Sequence, residues 1–203
     1  MNIVNVSEPI VRHYLNLVEA NKKTIQEVPE KFRQEVADIL NISLEELTLE
    51  ETIEKKVAEL SVACGQVITA GTDVTLSNGT KHYSFTSNDQ NNIKNWFDVA
   101  VSTKTDGIPY HADGEECELY TYLDIIQLYI AEQKYILYHN TYFNMLKAMV
   151  KTLTFTEEVE AVVYGMELNE EFSEKMNTIL TQSEEVFAKA MAAYGIDVKG
   201  ISL

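Results

Sequence analysis

The chain has 203 residues, of which 45% are hydrophobic, and 32 acidic against 16 basic side chains give it a formal net charge of −16. This hydrophobic content excludes a disordered chain, and the length suits one large domain or two small ones with a real core. The acidic balance argues against direct binding to nucleic acid or to an anionic membrane, because both would be repelled.

Two short helices are predicted in the first forty residues. The first begins at Ser7, with Pro9 in its first turn, because serine caps helices and proline suits their first position. Its predicted apolar face consists of Ile10, Tyr14, Leu17 and Val18. The second begins at Pro29 and ends at Asn41.

Two successive capping boxes predict a helix boundary between residues 43 and 51. Ser43 is followed by Glu46, and Thr48 by Glu51, at the spacing that lets two side chains cap each other's backbone amides. We predict that Thr48 begins a separate amphipathic helix that ends before Gly71. Its apolar positions are Ile53, Val57, Leu60, Cys64 and Val67.

After this helix the hydrophobic period changes from helical to two. Asn78-Gly79 is a specific signal for a tight hairpin turn. The apolar residues that alternate with polar ones on either side of it are Val74, Leu76, Tyr83 and Phe85. We therefore predict a β-hairpin near residues 74–85.

A further helix is predicted to start with Ser87 and Gln90 as its cap. Its apolar stripe consists of Ile93, Trp96, Phe97 and Ala100. Beyond a polar loop at residues 102–107, Asp113-Gly114 offers a second tight turn. The sequence leaves open whether residues 108–119 form a small hairpin or an ordered loop.

One long helix dominates the second half of the chain. Thr121 and Asp124 form a capping-box start, and neither proline nor glycine follows from Tyr122 to Leu153. Its rows of residues seven apart are Tyr122, Tyr129, Ile136, Phe143 and Val150; Leu128, Tyr135, Tyr142 and Met149; and Ile125, Glu132, His139 and Leu146. Together they make one broad face, which predicts the central helix of a bundle or a helix shared between subunits.

Two shorter helices are predicted to complete the chain. The first starts at Thr156 and ends at Gly165, and the second starts at Asn169 and ends at Gly195. The fold class predicted is α+β and predominantly helical, a helix bundle around one long central helix with a small β-hairpin. The predicted organisation is an N-terminal helical segment (1–47), a central domain (48–155) and a C-terminal helical segment (156–203).

The residue types that ligate metals occur together once in the chain. His111, Asp113, Glu115 and Cys117 alternate within seven residues. However, the turn at Asp113-Gly114 would splay the carboxylates, and the strong zinc, phosphate-loop, dinucleotide and serine-hydrolase patterns are missing. We predict a structural loop with no metal, no cofactor and no enzymatic activity. The alternative is a metal-binding enzyme in which His111 and Asp113 are the first ligands to test, and we predict that His139 is a hydrogen-bonded core histidine.

Cys64 and Cys117 are too few for a disulfide framework or a cysteine-based zinc site. The N-terminus lacks the basic start and apolar block of a signal peptide, and no apolar run is long enough to span a membrane. We therefore predict a soluble chain that is made in the cytoplasm and not secreted by a signal peptide.

Four runs of residues resemble a domain of unknown function that recurs in tail and baseplate proteins of phages and prophages of Firmicutes. The runs are Lys81–Phe85, Asn88–Ile93, Ile108–Glu115 and His139–Lys147. Val163–Met166 is similar to the same domain, and the resemblance covers roughly residues 48–168.

The resemblance implies a tail or baseplate component, or an adaptor that attaches a fibre or receptor-binding protein. It implies a place in the virion tail, other tail proteins as partners and an oligomeric assembly, and it brings no catalytic residues. The runner-up is a tail fibre assembly chaperone that is absent from the mature particle.

The candidate contact surface is the tyrosine-rich part of the long helix, because tyrosine is favoured at interfaces. It consists of Tyr129, Tyr135, Tyr138 and Tyr142. Packing within the core explains these positions equally well, so the sequence leaves both interpretations open.

Overall fold

The computed structural model describes residues 9–42 and 44–196, and for residues 45–48 the backbone alone. The predicted α+β, predominantly helical fold is confirmed. The helices are α1 (Pro9–Glu19), α2 (Glu30–Leu40), α3 (Leu44–Ala70), α4 (Ser87–Thr103), α5 (Tyr122–Val150), α6 (Thr156–Ala161) and α7 (Glu170–Ala193), with a 3₁₀ turn at Ile25–Glu27. The strands are β1 (Thr72–Leu76), β2 (Gly79–Tyr83), β3 (Ile108–Tyr110) and β4 (Glu118–Tyr120).

The chain divides into two compact units. The first consists of Met1–Lys56 with Leu153–Val162, and the second of Val57–Thr152 with Val163–Leu203. These limits differ from the predicted segments, because α7 belongs to the same unit as α5 instead of forming a separate C-terminal segment. Along the described helices, no stretch combines the length and the apolar character that crossing a membrane requires.

The core of the first unit lies between α1, α2 and the 3₁₀ turn. Its buried side chains are Val11, Leu15, Ile25, Val28, Val36 and Ala37. The predicted face of α1 is confirmed in part, because Tyr14 and Val18 pack against this core, whereas Ile10 is 43% exposed. The fully buried positions are Val11 and Leu15, one turn apart on the helix. The predicted cap at Ser7 lies outside the described residues.

The predicted helix start at Thr48 is also wrong. Helix α3 runs unbroken from Leu44 to Ala70, so the backbone at residue 48 is helical and does not have the extended conformation of a cap. The segment is rich in leucine and glutamate, which favour continuing the helix over starting a new one. The other predicted cap, at Ser43, lies outside the described residues.

The predicted first hairpin is confirmed. Strands β1 and β2 pair antiparallel, with Leu76 opposite Gly79 at the turn, and the buried residues that line one face are Val74, Leu76, Tyr83 and Phe85. The chain enters the hairpin through Gly71, whose φ is +79°. A Cβ atom at this position would lie 1.8 Å from the carbonyl oxygen of Tyr83, so only glycine fits.

Residues 108–120 form a second small hairpin, which decides between the two structures that the sequence left open. Strands β3 and β4 pair antiparallel. The backbone N–H of Asp113 donates to the carbonyl oxygen of His82 at 3.0 Å. The Lys81 ammonium lies 2.5 Å from the Glu115 carboxylate and 3.0 Å from that of Glu118. These contacts join the two hairpins.

In the second unit α4 and α7 both pack against α5. Helix α4 begins one residue earlier than predicted, because its cap is Thr86 with Asp89 rather than Ser87 with Gln90. Ile93, Phe97 and Ala100 of its predicted stripe are buried, whereas Trp96 is half-buried at the edge of the core.

The helix predicted to end at Gly165 is α6, and it stops at Ala161. Gly165 instead lies in the segment that follows, with a φ of +95°. The predicted start of the last helix is confirmed, because the Asn169 side chain accepts a hydrogen bond from the backbone N–H of Phe172.

Candidate functional site

Three of the four candidate interface tyrosines make their contacts inside the second unit. The Tyr129 ring stacks on Phe97 with the ring centroids 4.0 Å apart, and Tyr135 packs edge-on against Phe85. Tyr142 is 8% exposed. All three thus have packing contacts or burial within the unit, and Tyr138, at 47% exposed, is the one of the four that is fully on the surface.

Two of these tyrosines line a cleft with a volume of about 560 Å³. We call it the aromatic cleft. It is lined from α5 by Tyr138, His139 and Tyr142, from the following segment by Tyr164, Gly165, Met166, Glu167 and Leu168, and from α7 by Ser173, Met176 and Asn177. Three separate parts of the chain therefore build one concave surface.

Hydrogen bonds fix the segment after α6 against α5. The Tyr142 hydroxyl donates to the Met166 carbonyl oxygen at 2.7 Å and accepts from the Gly165 N–H at 3.0 Å. The ring of Tyr164 meets that of Tyr142 edge-on, with centroids 5.1 Å apart. Because the Tyr142 hydroxyl is bonded on both sides, its ring is held in one orientation before any ligand arrives.

His139 is part of the same internal network. Its Nδ1 lies 3.1 Å from the Tyr164 hydroxyl oxygen, and the Cys64 thiol donates to its carbonyl oxygen at 3.4 Å. Burial lowers the pKa of the His139 imidazole and raises the pKa of the Tyr164 phenol. At neutral pH both side chains are therefore uncharged. The predicted hydrogen bond of His139 is confirmed, but its side chain is half-buried at the cleft and does not lie in the core.

Three of the four side chains in the candidate metal-ligand cluster, which the sequence analysis interpreted as a structural loop, have hydrogen-bond or ion-pair partners in the second unit. His111 Nδ1 lies 3.1 Å from the carbonyl oxygen of Ala112. Asp113 accepts a hydrogen bond from the Ser84 hydroxyl, and Glu115 pairs with the Lys81 ammonium described above. Cys117 is exposed. Among the side chains that the structure describes, no three of the types His, Cys, Asp or Glu are grouped so as to hold a metal ion.

Sequence reasoning missed the role of Glu132, which is fully buried in α5. Within the described part of the chain its Oε1 has no hydrogen-bond partner, and its Oε2 accepts only a long bond, 3.4 Å, from the Gln133 amide. Burial raises the pKa of Glu132 to about 7. The one signal in the sequence was a glutamate in a seven-residue row that is otherwise mostly apolar.

Some of the segments that carry the family resemblance contact each other, in two separate places. Residues 81–85 meet residues 108–115 between the two hairpins, and residues 139–147 meet residues 163–166 at the aromatic cleft. No family model matches the chain, and neither a curated protein nor a solved structure does. The phage tail family therefore stays a prediction that rests on these runs.

Proposed function

We propose that the chain is a structural or adaptor component of a bacteriophage tail, baseplate or tail-like particle, and that it acts by binding other proteins. Its partners are neighbouring tail or baseplate proteins, among them a fibre or receptor-binding protein. The tail assignment rests on the resemblance of the four runs. The observation that supports a protein-binding role is the aromatic cleft with its exposed Tyr138.

Two physical properties of the cleft suit a protein contact. Tyrosine supplies a large apolar surface and a polar end, which is why it is enriched where proteins meet. The ring of Tyr142 is already held by the backbone of Gly165 and Met166. Binding against this ring does not cost the entropy of fixing its rotation, so more of the contact energy remains as affinity.

Mass spectrometry of purified, intact particles from the source tests the proposal. We expect the chain in stoichiometric amount, in the company of tail or baseplate proteins. Detection only in the infected lysate, bound to a fibre protein, would overturn the structural role in favour of the assembly chaperone. Detection free in both fractions would overturn every version of the tail assignment.

A pull-down with neighbouring tail proteins tests the part played by the cleft. We expect Tyr138→Ala to weaken binding about tenfold, the usual effect of losing a tyrosine at the centre of an interface. The matched control is Tyr194→Ala, since Tyr194 is also exposed, belongs to the same unit and does not line the cleft. Equal losses in both variants would contradict a contact at the cleft, provided that circular dichroism shows both to be folded.

A further inference from the structure

We propose that the aromatic cleft binds a cationic side chain, lysine or arginine. The cleft is lined by tyrosine rings, a single carboxylate and apolar side chains. The carboxylate and the rings suit the charged end of lysine or arginine, and the apolar side chains suit its methylene groups. The identity of the binder as a partner protein rests on the proposed function, whereas the preference for a cation rests on the cleft alone.

The charge of the cleft has one sign. Among the residues that line it, Glu167 is the one that carries a charge at neutral pH, and neither lysine nor arginine lies among them. Glu167 is exposed, so its carboxylate is available to a ligand. His139 is uncharged at neutral pH because burial lowers its pKa, and the chain as a whole carries a formal net charge of −16. A cation is attracted to such a site and an anion is repelled.

The aromatic rings add a second attraction. Tyr138, Tyr142 and Tyr164 all line the cleft, and the negative face of an aromatic ring attracts a cation. The ring planes of Tyr142 and Tyr164 stand at 86° to each other, and those of Tyr138 and His139 at 88°. The rings that line the cleft therefore stand in more than one orientation.

The remaining lining suits the stem of the side chain. Met166, Leu168 and Met176 supply apolar surface, against which the methylene groups of lysine or arginine pack while the charged end stays near the carboxylate. The volume of about 560 Å³ accommodates a long side chain together with the backbone that presents it.

Titration of the ¹⁵N-labelled full chain followed by NMR tests this inference. The probe is N-acetyl-arginine amide, and the control is N-acetyl-citrulline amide, which has nearly the same shape but no charge. We expect saturable shifts of the backbone amides of Gly165 and Glu167 with the arginine probe, at the millimolar affinity that one side chain supplies. The citrulline probe should produce none.

Two variants localise the binding. We expect Glu167→Gln and Tyr138→Ala each to weaken the arginine probe about three- to tenfold. The matched control is Glu174→Gln, because Glu174 is an exposed acidic residue of α7 that does not line the cleft. It should bind the probe as the unmodified chain does.

Three results would overturn the inference: equal binding of arginine and citrulline, shifts spread over the acidic surface, or no saturable shift. None of them bears on whether the chain is found in particles. Conversely, a chain that binds the arginine probe and is missing from particles would leave the cation site standing and remove the tail assignment.

Discussion

Two carboxylates are buried in α5, about two helical turns apart, and they have opposite surroundings. Asp124 is 4% exposed and accepts hydrogen bonds from the backbone N–H and the hydroxyl of both Ser77 and Thr121, at 2.6 to 3.1 Å. Glu132 is fully buried, and among the residues that the structure describes its carboxylate accepts only the long bond from Gln133. One carboxylate is surrounded by donors, and the other is nearly without them.

The pKa of each group follows from these surroundings. Burial raises the pKa of Asp124, but the hydrogen bonds from Thr121 and Ser77 lower it by more, so the net shift is downward. For Glu132 burial is again the largest effect, the Gln133 bond opposes it, and the nearby Asp89 adds to the rise, which brings the pKa to about 7. The difference lies in the number of donors, since both groups are buried.

The two surroundings determine whether a buried negative charge stabilises or destabilises the fold. At Asp124 the charge is useful, because it ties the turn of the first hairpin to the first turn of α5. At Glu132 the charge is costly, and the fold tolerates the residue by favouring its neutral form. We therefore expect opposite effects when the two carboxylates are removed.

The largest effect is expected from Asp124→Ala. This substitution removes four hydrogen bonds to a buried carboxylate, from Ser77 and Thr121, which we expect to lower the free energy of unfolding by about 4 kcal/mol at neutral pH. Urea denaturation measures it. Asp98→Ala is the control, since Asp98 is exposed in α4 and forms a surface ion pair with Lys94, and it should cost little. Equal losses would show that the buried network adds nothing.

The next effect is the pH dependence that Glu132 imposes. A carboxyl whose pKa is raised on folding, here from 4.5 to about 7, makes the folded state lose stability as the pH rises between these two values. The loss amounts to about 3 kcal/mol and is complete above the folded pKa. Glu132→Gln should therefore match the unmodified chain near pH 4 and exceed its stability by about that amount near pH 8.

Urea denaturation at a series of pH values measures this difference, with the exposed Glu174→Gln as the control. Asp124 works in the opposite direction, because its lowered pKa stabilises the fold above its ordinary value and this contribution fades as the pH falls. Comparing each variant with the unmodified chain at the same pH separates the contribution of Glu132 from that of Asp124. Parallel profiles for Glu132→Gln and the unmodified chain would refute the raised pKa.

A smaller effect is expected from Ser77→Ala, which removes one hydroxyl donor and keeps the backbone N–H. We expect a loss of about 1 kcal/mol. A double-mutant cycle with Asp124→Ala measures whether the two residues act through the same bond. If Ser77→Ala costs as much when Asp124 is already absent, the hydroxyl stabilises the hairpin by another route.

The smallest effect is expected from Gln133→Ala. The bond to Glu132 is 3.4 Å long, so its loss should change the free energy of unfolding by less than about 0.5 kcal/mol. Because this bond lowers the pKa of Glu132, its removal should raise that pKa, which carboxyl NMR can follow. A large loss of stability would show that Glu132 depends on this neighbour after all.

The surroundings of Asp124 could be predicted in part from the sequence, whereas those of Glu132 could not. The Asn78-Gly79 turn and the Thr121 and Asp124 capping box depend on residues close together in the chain, and both were predicted from the sequence. The hydrogen bonds from Ser77 to Asp124 join residues that are 47 positions apart in the sequence, and no local sequence pattern predicts them. The unbonded oxygen of Glu132 likewise depends on which neighbours the fold supplies.

In the candidate site, too, contacts between residues distant in the sequence could not be predicted. The seven-residue rows placed Tyr142 and His139 on the broad face of α5, and the structure gives both internal partners. The pattern did not reveal that Tyr164 and Gly165 return to meet them. Gly165 was predicted to end a helix because that is the commonest reason for a glycine there. Its actual contribution is a backbone N–H for the Tyr142 hydroxyl.

The crowded junction at Gly71 also constrains the evolution of this fold. The space for a side chain is filled by the backbone of Tyr83, which mutation of neighbouring side chains cannot clear. Any descendant or ancestor that keeps the turn from α3 into β1 must therefore keep glycine here, even after most other positions have changed. Such a position offers a fixed point for aligning distant relatives whose overall sequences no longer resemble one another.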